Sequence, residues 1–201
     1  MNNRFATTLL ITATTLFPTV LIGAPSQSTE VNPVEVGSTI PDIALTRADG
    51  RSIQLRELVA EKNTVIIFYR GSWCPYCTRH LATLSQVESQ LLKRGYQIIA
   101  ISPDKVETAS ESASEYNYTL YSDSEMKAAS SFGLNFKVDA PTLEKLDRYN
   151  IDIEAASGQT HHLLPVPAVY IVGTDGIITF RYYNPDYSKR LAAEAILEAI
   201  K

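Results

Sequence analysis

Cysteine is scarce in this chain: there are 2 in 201 residues, at Cys74 and Cys77. That number excludes a disulfide-stapled scaffold, and at this length the hydrophobic core of a single domain is large enough to need no staples. Zinc is short of ligands too. A structural site needs four donors, no further cysteine exists, and His161 and His162 are adjacent, which makes joint tetrahedral ligation awkward. Basic tracts with interleaved aromatics are missing, and 18 Lys+Arg against 22 Asp+Glu leave a formal net charge of −4. Nothing therefore points to nucleic acid, and the mild acidity speaks for solubility. There is no internal repeat or low-complexity stretch. No nucleotide, flavin or metal motif appears, so no cofactor and no metal are expected.

Charge is absent from Phe5 to Ala24, a stretch rich in Leu, Ile, Ala and Thr that follows a short start carrying Arg4. A basic n-region, an apolar run and the small residues Gly23 and Ala24 read as a secretory signal peptide over residues 1–24. An uncleaved anchor is the rival reading, because about 20 uncharged residues are long enough to cross a bilayer. Six threonines and Pro18 weaken such a span. No cysteine lies near the segment's end, which excludes a lipidated N-terminus. The chain is expected to be periplasmic or secreted, with no stable membrane association once the signal is cleaved. Disulfides persist there, so a cysteine pair rests oxidised unless a dedicated reductant serves it.

Residues 25–33 are polar with Pro and Ser and read as a flexible linker, ahead of one domain over residues 34–201. Ile43–Thr46 and Ile53–Leu55 flank Asp49-Gly50, a turn dipeptide that predicts a β-hairpin. Thr64–Tyr69 is a continuous run of β-formers, as expected of a strand buried on both faces. Leu81, Leu84, Val87 and Leu91 then recur at steps of three and four, giving an amphipathic helix that stops near Gly95. Tyr96–Ile101 is a second buried strand, so strand, helix and strand form a βαβ unit with a parallel pair. A polar helical stretch to about Glu115, a short strand at Tyr118–Tyr121 and a helix over Glu125–Phe132 follow. One helical insertion is read between Lys137 and Gly158. Ala168–Val172 and Ile177–Tyr182 bracket Gly173–Gly176 as an antiparallel hairpin, and Leu191, Ala195, Ile196 and Ile200 mark a final amphipathic helix. Asn117-Tyr118-Thr119 is a glycosylation sequon, meaningful only in a eukaryotic secretory pathway.

The chemistry concentrates in Phe68-Tyr69-Arg70-Gly71-Ser72-Trp73-Cys74-Pro75-Tyr76-Cys77. Gly71 and Ser72 let the chain turn off the strand. The Cys74 sulfur then meets the N-terminus of a helix, where free amides and the dipole favour a thiolate. Pro75 suits the first turn, where no N–H is needed. Cys77, three residues on, can attack a mixed disulfide on Cys74, and such placement lowers the first thiol's pKa below the ordinary value of about 8.5. Arg70, Arg79 and His80 add positive potential. Trp73 and Tyr76 flank the sulfurs, Trp73 as an apolar docking surface. His80 is expected to be partly exposed and incidental, His161 and His162 to be ordinary loop residues. Tyr116, Tyr118, Tyr121, Tyr182, Tyr183 and Tyr187 are expected to pack strands.

A buried strand, Trp73-Cys74-Pro75-Tyr76-Cys77 on a helix and a downstream Val166-Pro167 opening a hairpin together resemble the thioredoxin superfamily. More narrowly, Gly37–Pro41, Asp49-Gly50, the cysteine string, Ser102-Pro103-Asp104, Pro167–Val172 and Asn184-Pro185-Asp186-Tyr187 resemble the peroxiredoxin-like branch of the alkyl hydroperoxide reductase/thiol-specific antioxidant family. The resemblance implies a three-layer α/β thioredoxin-like fold, a central mixed sheet flanked by helices with an N-terminal β-hairpin extension. It implies a cis Val166–Pro167 bond facing the cysteines, with Val166's backbone free to pair with a substrate strand. Cys74 takes the place of the peroxide-attacking cysteine and Cys77 that of a local resolving cysteine. Two departures stand out. The family's Pro-x-x-x-Thr-x-x-Cys is replaced by Ile67 and Gly71 at its Pro and Thr, and Pro167 stands where an arginine is expected. The implied function is a thiol oxidoreductase acting on a peroxide or an oxidised protein or thiol and regenerated by a thioredoxin-like reductant. A protein disulfide reductase or oxidase, and a redox-inactive binding module, are the alternatives.

Overall fold

A computed structural model describes residues 23–200. The signal segment read over residues 1–24 lies, but for its last two residues, outside the described residues. Among the described residues no helix is long and apolar enough to cross a membrane.

Seven strands form one mixed sheet in the order β2 (Ser52–Gln54), β1 (Ala44–Arg47), β5 (Thr119–Ser122), β4 (Tyr96–Ser102), β3 (Asn63–Phe68), β8 (Ala168–Val172) and β9 (Ile178–Tyr183). At its centre, β3 and β4 run parallel, with Val65 opposite Ile98 and Phe68 opposite Ile101. The helix between them is α2 (Pro75–Lys93), and β5 extends the parallel set beyond β4. On the other side of β3, β8 pairs antiparallel and turns back as β9. The predicted hairpin of β1 and β2 forms the opposite edge, where β1 pairs antiparallel with β5.

Helices cover both faces of the central strands, which is why β3 reads as an unbroken apolar run. Alternation divides it cleanly. Val65, Ile67 and Tyr69 pack with Leu81, Leu84 and Leu91 of α2 and with Ile196 of α7 (Ala193–Ala199). Ile66 and Phe68 face the other way, toward α1 (Leu55–Glu61) and α4 (Lys127–Ser131). Leu55 was expected at the end of a strand and instead begins α1, because Leu55, Leu58 and Val59 recur at helical spacing and all bury.

The region between Lys137 and Gly158 holds two helices rather than one. Asp139 caps α5 (Ala140–Arg148) by accepting from Thr142 N at 3.0 Å, and Asp152 caps α6 (Ile153–Ser157) by accepting from Ala155 N at 2.9 Å. A two-stranded sheet of β6 (Asn135–Lys137) and β7 (Leu163–Pro165) ties this insertion down. Its small core of Val138, Leu146, Ile153 and Leu164 packs against Trp73. The remaining helix, α3 (Val106–Ala113), buries Ala109 beside β5.

Residues 25–33 lie strapped to the domain instead of running free as a linker. Lys137 N donates to Pro25 O at 2.8 Å, Arg181 donates to Pro33 O at 2.7 Å, and Val31 and Val34 pack on the core. Backbone carbonyls that would otherwise need water are thereby satisfied internally.

Candidate active site

Both cysteines are free and buried, Cys74 at 1 % and Cys77 at 0 % exposure. Cys74 is the N-cap of α2, its backbone extended at φ −93° and ψ 114°, and Pro75 occupies the first helical turn. The turn off β3 is as tight as the sequence implied. Gly71 has φ +145°, and a Cβ there would lie 2.3 Å from Trp73 Nε1 and 2.9 Å from Asp104 Oδ1. Only glycine fits that conformation and that space.

The two sulfurs differ sharply. The Cys74 thiol is pushed down to about 6, chiefly by the Cys77 thiol beside it, then by the amides of the first helical turn and the Arg70 guanidinium, against the opposing effect of burial. Burial and the neighbouring Cys74 push the Cys77 thiol well up, so it keeps its proton when Cys74 has lost its own. The outer sulfur is thus a nucleophile at neutral pH and the inner one a stored thiol.

Arg70 is buried at 5 % exposure, with its guanidinium 5.0 Å from the Trp73 ring centre and 4.2 Å from that of Tyr187. Tyr187 in turn meets Tyr76 edge-on at 5.7 Å. These side chains border a groove of about 570 Å³ that reaches Cys74 and whose far wall is α5, with Thr142, Lys145, Leu146 and Tyr149, followed by Ile151. A second recess of about 300 Å³ shares Arg70, Thr142 and Tyr187 and continues past Val166 and Pro167. A polar cavity of about 560 Å³ at Asp42, Ser122 and Glu125 lies away from the cysteines.

Several expectations are corrected. The Val166–Pro167 bond is trans, the form favoured for X-Pro by about 0.5–1 kcal/mol. Val166 is fully buried and its N–H donates to Leu134 O at 2.8 Å, so that donor is already paired and is not free for a substrate strand. His80 is not exposed. It is 7 % accessible with Nε2 bonded to Leu191 O at 3.0 Å, and burial brings its pKa down to about 4, so the ring is neutral. Arg79 is exposed on the outer side of α2. Tyr187, expected to pack a strand, belongs to the site through Arg70 and Tyr76.

Other expectations hold. His161 bridges Ser124 O and Leu163 N, and His162 pairs with Glu154, both in loop roles. Tyr116 and Tyr118 stack on each other as packing residues.

Two participants went unread as site residues. Asp104 is completely buried behind the turn, where its Oδ2 accepts from Ser72 N at 2.8 Å and from Ser102 Oγ at 3.0 Å. Its place in Ser102-Pro103-Asp104 was a usable signal. Arg190, whose Nη2 lies 3.4 Å from Cys77 Sγ, comes from a loop more than a hundred residues downstream and had none.

The comparisons with known proteins agree with this geometry. A putative peroxiredoxin bcp of Helicobacter pylori is 26% identical, covering 83% of this chain and 98% of that protein. The 1-Cys peroxiredoxin PER1 of Hordeum vulgare is 23% identical over 80% of this chain and 69% of its own. Among solved structures, reduced Prx3 of Vibrio vulnificus in complex with hydrogen peroxide superposes with a TM-score of 0.68 at 18% identity, covering 84% of this chain and 99% of that one. The peroxidoxin BcpB of Mycobacterium tuberculosis gives 0.63 at 18% identity, over 82% and 93%. The AhpC/TSA family model matches residues 36–181, a span that holds the cysteine pair and all of the central sheet but the last two residues of β9. The chain therefore belongs to the AhpC/TSA family and is a thiol-dependent oxidoreductase of the peroxiredoxin type.

Proposed function

We propose that this enzyme reduces hydroperoxides at Cys74 and closes its cycle with Cys77. The Cys74 thiolate attacks a peroxide oxygen, the O–O bond breaks, and an alcohol or water leaves as Cys74 becomes a sulfenic acid. Cys77 then attacks the Cys74 sulfur, expelling water and forming the Cys74–Cys77 disulfide. A thioredoxin-like dithiol returns both sulfurs to the reduced state and is itself oxidised. The residues stand three apart at a helix start, so the disulfide forms locally.

One observation favours peroxide over protein disulfide exchange: the Val166 N–H is spent on Leu134 O. Exchange on a protein strand draws on a free backbone edge beside the cysteines, whereas a peroxide needs only the groove and a thiolate. The missing Thr at Gly71 is compatible with this reading if Arg70 supplies the positive charge at Cys74, as its buried place implies.

Trp73 is the only tryptophan and borders the groove at Cys74, so its fluorescence reports oxidation directly. Reduced protein mixed with hydrogen peroxide or an alkyl hydroperoxide in a stopped-flow instrument is expected to show a phase whose rate rises linearly with peroxide. That rate should far exceed the one for glutathione corrected to the same thiolate fraction. A rate equal to glutathione's ends the peroxidase reading and leaves disulfide exchange. We further propose that the enzyme works outside the cytoplasm after loss of residues 1–24; terminal sequencing of protein from the exported fraction tests this, and an intact Met1 there refutes cleavage.

A further inference from the structure

The loop that follows β9 closes over the cysteine pair, and one of its side chains goes to the sulfur that the first chemical step does not use. Arg190 sets Nη2 3.4 Å from Cys77 Sγ. Its Nη1 is held by the carbonyls of Tyr187 and Lys189, the latter at 2.8 Å, and its Nε is buried without a partner. The same loop presses Tyr187 onto Arg70 and gives Leu191 O to His80. Each sulfur thus has its own guanidinium, Arg70 for Cys74 and Arg190 for Cys77.

The surroundings of Cys77 make Arg190 hard to replace. The titratable and charged groups facing it are Cys74 and His80 on its own helix, Tyr69 at the end of β3, Tyr116 ahead of β5, Arg190, and Arg70, whose backbone N–H donates to the Cys77 sulfur. His80 is neutral, and burial holds both phenols in their uncharged form at neutral pH. Arg70 meets Cys77 through its backbone while its guanidinium lies over Trp73 and Tyr187, so Arg190 is the cation whose charge acts on Cys77. A buried sulfur that must become an anion to react has no solvent to stabilise it, and a nearby fixed positive charge does so instead.

We propose that Arg190 is a catalytic residue of the resolving half-reaction, holding the Cys77 sulfur as it becomes a thiolate. This rests on the peroxidase cycle proposed above. In resolution the Cys77 sulfur attacks Cys74 and gives up its proton to the hydroxyl that leaves Cys74. The S–S bond forms, the Cys74 S–O bond breaks, and the departing hydroxide leaves as water with the Cys77 proton. In regeneration the dithiol's sulfur attacks Cys74, the S–S bond breaks, and Cys77 leaves as a thiolate onto the same guanidinium. Arg190 stays protonated throughout. A group that only latches the loop would serve oxidation and resolution alike through Tyr187 and Arg70; a group that serves Cys77 acts on resolution and not on the oxidation of Cys74.

Two measurements separate these roles. In a Cys74→Ser background Cys77 is the one thiol left, and the pH dependence of its modification by methyl methanethiosulfonate, read by mass spectrometry, titrates it without interference from the 11 tyrosines. Adding Arg190→Met is expected to move the midpoint up by a pH unit or more, and Arg190→Lys by less, since it restores a charge without the planar fork. In otherwise native protein, Trp73 fluorescence after peroxide should resolve oxidation from resolution. Arg190→Met should slow the second phase tenfold or more, and more than the first, with sulfenic acid on Cys74 accumulating as a dimedone adduct. An unmoved Cys77 midpoint overturns the proposal, as does equal slowing of both phases. Should native protein show no peroxide phase at all, the peroxidase reading fails on its own, and the Cys77 titration still decides whether Arg190 serves that sulfur. Circular dichroism of each variant guards against misfolding, and Arg190→Lys keeps the test open should Arg190→Met fail to fold.

Discussion

Alkylation of the reduced protein by iodoacetamide is expected to titrate with a midpoint near pH 6, because the Cys74 thiol is brought down to about 6. At pH 7 such a thiol is about 90 % thiolate, against about 3 % for an ordinary one near 8.5, a gain of roughly thirtyfold in the reactive form. The rate should be flat above pH 7 and fall about tenfold per unit below pH 5. Mass spectrometry should find one adduct, on Cys74, because burial keeps Cys77 protonated over this range. Two substitutions then test the cause. Cys77→Ala removes the largest stabilising influence, and Arg70→Met removes a smaller one. A hydrogen bond to a charged group is worth about 1.5–3 kcal/mol, and a thiol is a weak donor, so Cys77→Ala should raise the midpoint by about one unit. Arg70→Met should raise it by less. A native midpoint at pH 8 or above refutes the reasoning, and so does a larger shift from Arg70→Met than from Cys77→Ala.

Three further outcomes are expected. Gly71→Ala should cost about 2–4 kcal/mol in urea unfolding and slow alkylation of Cys74, since the new methyl would lie 2.3 Å from Trp73 Nε1 at φ +145°; a loss below 0.5 kcal/mol would contradict the fit described for the turn. Asp104→Ala should cost about 2–3 kcal/mol by leaving the Ser72 N–H and the Ser102 hydroxyl without their acceptor, and Asp104→Asn should cost less, as chemical denaturation of both will show. Stability of the reduced protein should depend on pH through Cys74. Its folded pKa lies below that of the unfolded thiol, so between about pH 6 and 8.5 the unfolded chain binds more protons and stability rises with pH, by at most about 2 kcal/mol from pH 6 to 8. The gain is lost as pH falls through 6, and urea titrations of Cys74→Ala should lack it.

Much of the fold was legible because the periodicities were strong. The run at β3, the three-and-four spacing of α2 and the turn residues at Asp49-Gly50 and Gly173–Gly176 each have one structural solution once helices cover a sheet on both faces. The two short strands of the second sheet were not legible. Asn135–Lys137 and Leu163–Pro165 are three residues each, too short for a pattern, and they exist because the chain between them folds back as α5 and α6. Residues 25–33 misled for a related reason: a polar, proline-containing stretch looks like a linker until carbonyls of Pro25 and Pro33 find donors on Lys137 and Arg181.

The cysteine pair stands apart, since local chemistry suffices to define it. A sulfur placed at the first residue before a helix, followed by proline and a second sulfur three residues on, meets free amides whatever else the chain does, and so Cys74 and Cys77 could be assigned from the sequence alone. Their division of labour could not. Arg70 becomes an active-site cation only when Trp73 and Tyr187 enclose it, His80 becomes neutral only when Leu191 O and the core close over it, and Val166 loses its free N–H only when Leu134 arrives. Arg190 reaches Cys77 across more than a hundred residues of chain. Charge and solvation at a buried sulfur depend on everything within a few ångströms of it, and that neighbourhood is assembled by packing, not by adjacency along the chain.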